Sequence, residues 1–240
     1  MSILPYPPSI LPRQLVRRLA AQLLPGSCLL CGEDTSGALL CARCHNDLPA
    51  LPPEHLCPRC ALPTTHGERC GACLKEPPHY TRALALWTYE FPADRIIHAL
   101  KYQHRLAIAD WLGAHMAERL TPAGQTLLPM PLHEERLRER GFNQAGEIAR
   151  CVARILGLPY QPDLLHRQRP TRPQADLLPG ERQRNVRGAF VCSGDLGGRD
   201  VVLIDDVMTT GASANECARV LRLHGAGDIT LLVAARALKH

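Results

Sequence analysis

The sequence predicts an α/β domain, in which a mostly parallel sheet carries helices on both faces, together with a small N-terminal cysteine-rich module. Eight of the 11 cysteines lie between Cys28 and Cys73, in a segment without a long apolar period. After Pro77 and Pro78, short apolar segments typical of strands alternate with longer amphipathic segments typical of helices. Such alternation favours parallel strands that are covered on both sides.

Three domains are predicted along the chain. Residues 1–25 form an extension with a short helix over 13–24, which Pro25 and Gly26 end. Residues 26–78 form the cysteine-rich module, and residues 79–240 form the α/β domain.

Apolar periodicity predicts the order of elements in the α/β domain. They are a strand over 83–91, a long helix over 93–120, a strand over 126–130, a helix over 143–156, an arginine-rich polar stretch over 166–187, a strand over 201–204, a helix over 213–224 and a strand over 229–234.

Composition excludes several classes of protein. Hydrophobic residues make up 45% of the 240 residues, which is enough for a packed core. No apolar run reaches the length of about 18 residues that a membrane-spanning helix needs. The net charge of +5 is too small by itself to indicate nucleic-acid binding, and an aromatic content of 4% weakens any interpretation that depends on base stacking.

The first residues lack the order of a secretory leader, because prolines interrupt the apolar stretch and arginines follow it. We therefore expect a cytoplasmic protein. In that reducing compartment, clustered cysteines bind metal more often than they form disulfides.

Two copies of the spacing C-x2-C-x9-C-x2-C make up the cysteine-rich module. Two C-x-x-C hairpins supply the four thiolates of a tetrahedral site, so the module is predicted to bind two structural Zn²⁺ ions. The predicted ligands are Cys28, Cys31, Cys41, Cys44, Cys57, Cys60, Cys70 and Cys73.

Other arrangements of the module remain open. The repeated spacing favours one zinc for each run of four cysteines over a cross-braced pairing, and favours zinc over an iron–sulfur cluster or disulfides. His45, His55 and His66 lie close enough in sequence to replace a cysteine, although solvent-facing loop residues are the simpler interpretation. Cys151, Cys192 and Cys217 are expected in the core as small apolar residues.

The segment 201–213, VVLIDDVMTTGAS, predicts a phosphate site. Its four apolar residues form a buried strand, Asp205 and Asp206 follow, and a turn then opens the next helix. Gly211 lets the backbone approach an anion, and free amides at a helix N-terminus favour phosphate. Paired acids beside such a turn suit the vicinal hydroxyls of a sugar with Mg²⁺ nearby, which together describe ribose 5-phosphate. The plainer alternative is a buried strand followed by a capped helix.

This segment resembles the loop that binds phosphoribosyl pyrophosphate (PRPP) in type I phosphoribosyltransferases. The whole chain resembles the ComF family, also called GntX-like, of competence and DNA-utilisation proteins. Three further segments carry the resemblance: HALKYQHR over 98–105, PMPLHEERLRERGFNQA over 129–145 and NVRGAF over 185–190. The family joins a double zinc ribbon to a phosphoribosyltransferase-like domain, which is the fold that the resemblance implies here.

The resemblance also implies roles for particular residues. The expected catalytic residues are Asp205, Asp206, Arg136 and Arg140. The two arginines are expected to act on the leaving group, because paired guanidinium groups neutralise a diphosphate. The expected PRPP-binding residues are Asp205, Asp206, Val207, Met208, Thr209, Thr210, Gly211, Ala212, Ser213 and Lys101. A flexible loop that closes over PRPP is expected to contribute Arg169, Gln174, Arg182 and Asn185.

Two functional hypotheses follow. In the first, the chain is a phosphoribosyltransferase that binds PRPP with Mg²⁺, and no segment identifies the acceptor base. In the second, it binds PRPP or a nucleotide without turnover and handles single-stranded DNA. Residues 131–187 hold eleven arginines against seven acids, which suits a phosphate backbone. DNA-uptake or recombination proteins are the expected partners, and an oligomer is compatible with the sequence.

Overall fold

The computed structural model describes residues 26–103, 105–169 and 186–238. The helix predicted over 13–24 therefore lies outside the described residues. The described residues up to Asp47 belong to one compact unit, and those from Leu48 onward belong to a second.

The first unit holds the first cysteine repeat. A bridge between Ser27 and Asp34 closes a tight loop around the first two cysteines. Helix α1, Ala42–Asn46, follows the third cysteine, whose side chain accepts a hydrogen bond from the amide of Cys44.

The second unit opens with the second cysteine repeat. That repeat contains a 3₁₀ turn, Pro53–His55, and helix α2, Gly71–Lys75. Ala50 forms an antiparallel bridge with Trp87, and the amide of Ala83 donates to the carbonyl of Pro58. The repeat is thereby hydrogen-bonded to the first strand of the sheet that follows.

A four-stranded parallel sheet forms the centre of the second unit, as the sequence predicts. Its strands are β1 (Arg82–Thr88), β2 (Thr126–Pro129), β5 (Val201–Met208) and β6 (Ile229–Arg236), in the spatial order β1-β6-β5-β2. All three pairings are parallel. Every residue of β2 and β6 is buried, which explains why these strands are continuous apolar runs.

Helices cover both faces of the sheet. They are α3 (Ala93–Tyr102), α4 (Leu106–Ala117), α5 (Glu134–Arg140), α6 (Gln144–Leu156) and α7 (Ala212–Leu223). Buried residues of α7 share one core with Val201, Leu203 and Leu231, whose side chains project from the same face of the sheet. Helices α4 and α6 pack on each other and on the opposite face. A small antiparallel pair, β3 (Leu165–Arg167) and β4 (Phe190–Cys192), lies beside α7.

Three predicted boundaries are wrong. The helix predicted over 93–120 is two helices, α3 and α4; apolar periodicity does not reveal the break because Leu100 before it and Ile108 after it are both buried in the core. The strand predicted over 201–204 continues to Met208, because Asp205 and Val207 still pair with β6. The strand predicted over 83–91 ends at Thr88.

Among the described residues, no helix combines the length and the apolarity needed to span a membrane.

Two helical glycines provide a test of the packing of α4 on α6. A Cβ atom on Gly113 of α4 would lie 2.6 Å from Cβ of Cys151 on α6, whereas a Cβ on Gly146 of α6 would meet nothing closer than 3.5 Å. We expect Gly113→Ala to lower the free energy of unfolding by roughly 1–3 kcal/mol through overpacking. Gly146→Ala should raise it by up to about 1 kcal/mol through helix propensity. Urea unfolding of both variants measures the difference, and equal effects would contradict the close approach of the helices.

Candidate ligand site and metal centres

A cavity of about 370 Å³ opens at the carboxyl ends of the strands. Tyr89, which follows β1, residues 130–132, which follow β2, and the last residues of β5 contribute to its wall. Ligands of open α/β sheets bind at this edge, because the loops that follow neighbouring parallel strands meet there.

The structure brings most of the predicted ligand residues to this cavity. Its lining includes Lys101, Arg136, Arg140, Asp205, Asp206, Val207, Met208, Thr209, Gly211, Ala212 and Ser213. These residues come from α3, α5, β5 and α7, so segments that are distant in sequence form one wall.

Two groups of predicted residues stand apart from the lining. The side chain of Thr210 accepts a hydrogen bond from the amide of Ala212, at the start of α7. Arg169 donates to the carbonyl of Arg187 over 2.8 Å. The remaining flexible-loop residues, Gln174, Arg182 and Asn185, lie outside the described residues.

The acid pair lies inside β5 rather than beyond its end. Nζ of Lys101, near the end of α3, lies 2.9 Å from a carboxylate oxygen of Asp206. Burial would lower the pKa of Lys101, but the carboxylate of Asp206 raises it. Oδ1 of Asp205 accepts a hydrogen bond from the amide of Asp206 over 2.9 Å. Burial raises the pKa of Asp205 to about 8, and the charge of Asp206 contributes to the increase.

A tight loop over residues 209–211, here called the ligand loop, connects β5 to α7. Gly211 has φ of +79°, in the left-handed region, and serves as the N-cap of α7. This conformation favours glycine, and a Cβ atom at this position would also displace Cε of Met208, which it would approach to 2.6 Å. Because α7 is 12 residues long, the amides of its first turn and its dipole direct positive potential at the cavity.

Helix α5 adds positive charge to the lining of the cavity. Arg140 donates to Oε1 of Gln144 over 3.1 Å, and its guanidinium lies 5.6 Å from the ring centre of Tyr102. Gln144 is 3% exposed, and its Nε2 has no hydrogen-bond partner in the described part of the chain. A buried donor in a cavity wall is costly unless a ligand accepts from it.

Sequence reasoning named neither Tyr89 nor Tyr102 as a site residue. It placed Gln144 only inside or just after the expected pyrophosphate loop, and Arg167 only at the start of the expected flexible loop. All four residues line the cavity. Two of them carried a usable signal. Tyr102 directly follows Lys101, a predicted site residue. Gln144 directly follows Asn143, whose side chain fixes the backbone between β2 and α6. The amide side chain of Asn143 donates to the carbonyl of Met130 and accepts from the amide of Ala145, which begins α6. Arg167 comes from the small sheet, which was not predicted.

The cysteines form two groups of four, each from one repeat. Within each group the sulfur atoms lie within 4.8 Å of one another, and all eight cysteines are free of disulfides. The Sγ atoms of Cys31 and Cys41 are 3.7 Å apart, and those of Cys60 and Cys70 are 3.6 Å apart. Both distances match the sulfur–sulfur edge, about 3.8 Å, of a tetrahedron with Zn–S bonds of about 2.3 Å. The sequential grouping is therefore correct, and two structural zinc ions fit it. The three remaining cysteines are buried in the core.

Comparisons with known proteins agree with this architecture. Residues 19–74 match the double zinc ribbon domain. The chain is 31% identical over 226 residues to the DNA utilization protein YhgH of Escherichia coli (strain K12), covering 90% of this chain and 99% of that protein. The chain belongs to the ComF/YhgH family.

More distant members of the ComF/YhgH family have names that refer to competence. Competence protein F of Haemophilus influenzae is 29% identical over 210 residues, which cover 82% of this chain and 90% of that protein. Competence protein ComFC of Streptococcus pneumoniae is 26% identical over 220 residues, which cover 84% of this chain and 96% of that protein. The family membership predicted from the sequence is confirmed.

Zinc content gives a direct test of the two metal centres in this ComF/YhgH-family chain. We expect two equivalents of zinc per chain, and one equivalent in each of the variants Cys44→Ser and Cys73→Ser, because each loses a ligand of a different group. Elemental analysis of the purified proteins measures the content. Loss of both metals on substitution of either cysteine would contradict two separate sites.

The two adjacent carboxylates should respond oppositely to amidation. Asp205→Asn keeps an acceptor for the amide of Asp206 and removes a carboxyl whose pKa is raised, so it should stabilise the fold. Because the folded-state pKa lies above the unfolded one, the gain grows as pH rises from about 4 and levels off above pH 8. Thermal unfolding should show roughly 5 °C of stabilisation at pH 8.5 and less at pH 5.5.

Asp206→Asn is the matched control, since it leaves Lys101 without its carboxylate partner. It should destabilise the fold by about 3 kcal/mol. Equal effects of the two substitutions, or a gain for Asp205→Asn that does not depend on pH, would contradict the different environments of the two acids.

Proposed function

We propose that this chain binds PRPP with Mg²⁺ in the cavity and acts as a phosphoribosyltransferase in the use of exogenous DNA. One observation carries the proposal. The same cavity is lined by residues of the ligand loop, by the acid pair and by two arginines of α5. Each of these groups is suited to a different part of PRPP.

The 5-phosphate binds at the ligand loop. Backbone amides at the start of α7 donate to its oxygens, and the hydroxyls of Thr209 and Ser213 add donors. The absence of a side chain on Gly211 lets the anion approach the backbone closely.

The ribose hydroxyls donate to Asp205 and Asp206. Lys101 balances the charge of the acids, which otherwise would repel a ligand that carries several phosphate charges. The ion pair with Asp206, 2.9 Å long, also fixes the rotamer that faces the sugar.

The diphosphate binds at the wall formed by α5 and the start of α6. Arg136 and Arg140 donate to its oxygens, and the buried Nε2 of Gln144 supplies a donor that otherwise lacks an acceptor. Mg²⁺, when bound with PRPP, would neutralise part of the diphosphate charge. The flexible loop with Arg169, Gln174, Arg182 and Asn185 remains a prediction; it would close the cavity to water.

Turnover breaks the bond between C1 of the ribose and the diphosphate, while a nitrogen nucleophile attacks C1 from the opposite face. The arginines stabilise the leaving diphosphate, and the acids hold the sugar as positive charge develops at its ring. Positioning and electrostatics supply the acceleration, without a covalent enzyme intermediate.

The biological role is inferred from the relatives. Their names refer to DNA utilization and to competence. A phosphoribosyl-binding protein in such a pathway acts on products of incoming DNA or on the factors that process it. A reducing cytoplasm, in which zinc-bound thiolates persist, is the fitting compartment.

One observation favours a second candidate function, the handling of a nucleotide or single-stranded DNA without turnover. Tyr102 is 57% exposed at the cavity, and Phe91, which is 72% exposed, follows the same strand end as Tyr89. The exposed ring of Tyr102, with the guanidinium of Arg140 5.6 Å from its centre, is suited to base stacking and phosphate contact. This arrangement strengthens a hypothesis that composition alone made weak.

Calorimetry with PRPP tests the first proposal. We expect Mg²⁺-dependent binding by the wild type, and binding at least about tenfold weaker in Asp205→Ala/Asp206→Ala, which lacks the acceptors for the ribose hydroxyls. Asp228→Ala, at the amino end of β6, is the control for a lost carboxylate elsewhere. Undiminished affinity in the double variant would remove the proposed site.

Two further assays separate the candidate functions. Release of diphosphate with any member of a panel of nucleobases supports the transferase. Binding of a labelled oligonucleotide that weakens steeply with salt and that Tyr102→Ala reduces supports DNA handling. Neither result alone excludes PRPP binding, because calorimetry measures that separately.

A further inference from the structure

A buried arginine links the second group of cysteines to the ligand loop. Arg236 is the last residue of β6 and is only 2% exposed. Its Nε donates to the carbonyl of Cys60 over 2.9 Å. Its Nη1 donates to the carbonyl of Met208 over 3.0 Å and also to the carbonyl of Thr209. One guanidinium therefore holds both a cysteine of the metal centre and the backbone where the ligand loop begins.

Tyr80 forms a second contact between the same two regions. It is 3% exposed and packs in one core with Cys57, Cys60 and Cys73. The position that a Cβ atom of Gly211 would take lies 3.4 Å from the hydroxyl of Tyr80. The side chain of Tyr80 thus lies between the second group of cysteines and Gly211, the N-cap of α7.

The positive charge of Arg236 complements the negative charge of the second metal centre. In the described part of the chain, no carboxylate lies within ion-pair distance of Arg236, although its side chain is buried. A buried cation needs a nearby negative charge. Four thiolates around Zn²⁺ carry a net charge of −2, and the contact with the carbonyl of Cys60 places the guanidinium beside them.

We propose that the second cysteine group, comprising Cys57, Cys60, Cys70 and Cys73, positions the ligand loop through Arg236, so that zinc in this group and PRPP in the cavity stabilise each other. Arg236 is a positioning residue, since it acts on the loop carbonyls and does not line the cavity. The part that concerns PRPP rests on the proposed function. The coupling of Arg236 to the metal centre does not.

Arg236→Lys is the main test variant, because an ammonium lacks the planar set of donors that contacts several carbonyls at once. Arg222→Lys is its matched control. Arg222 also donates to several main-chain carbonyls, those of His79, Ala226 and Gly227, but at the amino end of the sheet. Tyr80→Phe, which removes only a hydroxyl, provides a milder second variant, and circular dichroism verifies folding of all three.

The first measurement is the rate at which a chromogenic chelator removes zinc from ligand-free protein. Arg236→Lys should lose one of its two zinc equivalents about tenfold faster than the wild type, while Arg222→Lys loses both at the wild-type rates. The same rates in Arg236→Lys and the wild type would overturn the proposal, whether or not PRPP binds.

The second measurement is PRPP affinity by calorimetry. Arg236→Lys should bind PRPP with Mg²⁺ at least about fivefold more weakly than Arg222→Lys, and Tyr80→Phe should show a smaller loss. By reciprocity, PRPP should raise the equilibrium zinc affinity of the wild type in competition with the chelator. Wild-type affinity in Arg236→Lys would overturn the coupling. If the wild type itself does not bind PRPP, the proposed function fails, and the zinc-release rates alone decide the role of Arg236.

Discussion

Two adjacent carboxylates on a buried parallel strand impose a cost that the surrounding structure has to offset. Asp206 is 8% exposed, and Asp205 lies beside it with a raised pKa. Lys101 supplies the compensating charge from the end of α3, and the amide of Asp206 donates to Asp205. Charge placed at such expense in the wall of a cavity is typical of a functional site, since apolar residues would stabilise the strand better.

The sequence contained the information for the sheet and for the ligand loop because both depend on local rules. Continuous apolar runs predicted β2, β5 and β6, and the pattern of acids, threonines and Gly211 predicted a loop at the N-terminus of α7. The spacing of the cysteines predicted two groups of four and their sequential order. In each of these cases, neighbouring residues determine the chemistry.

Contacts between distant segments were less accessible to sequence reasoning. Nothing local marks Arg236 as a partner of Cys60, because 176 residues separate them. The role of Gln144 depends on burial, which its polar side chain does not suggest. The break between α3 and α4 was missed because the apolar pattern continues across it, with Leu100 and Ile108 both buried.

The central claim is that the ligand loop and the acid pair together hold a phosphorylated pentose. The most direct measurement is a crystal structure of the protein with Mg²⁺ and PRPP. We expect the 5-phosphate to lie within hydrogen-bond distance of the amides of residues 209–213, with the ribose hydroxyls on Asp205 and Asp206. PRPP bound elsewhere, or a cavity in which the two acids make no contact with the sugar, would contradict it.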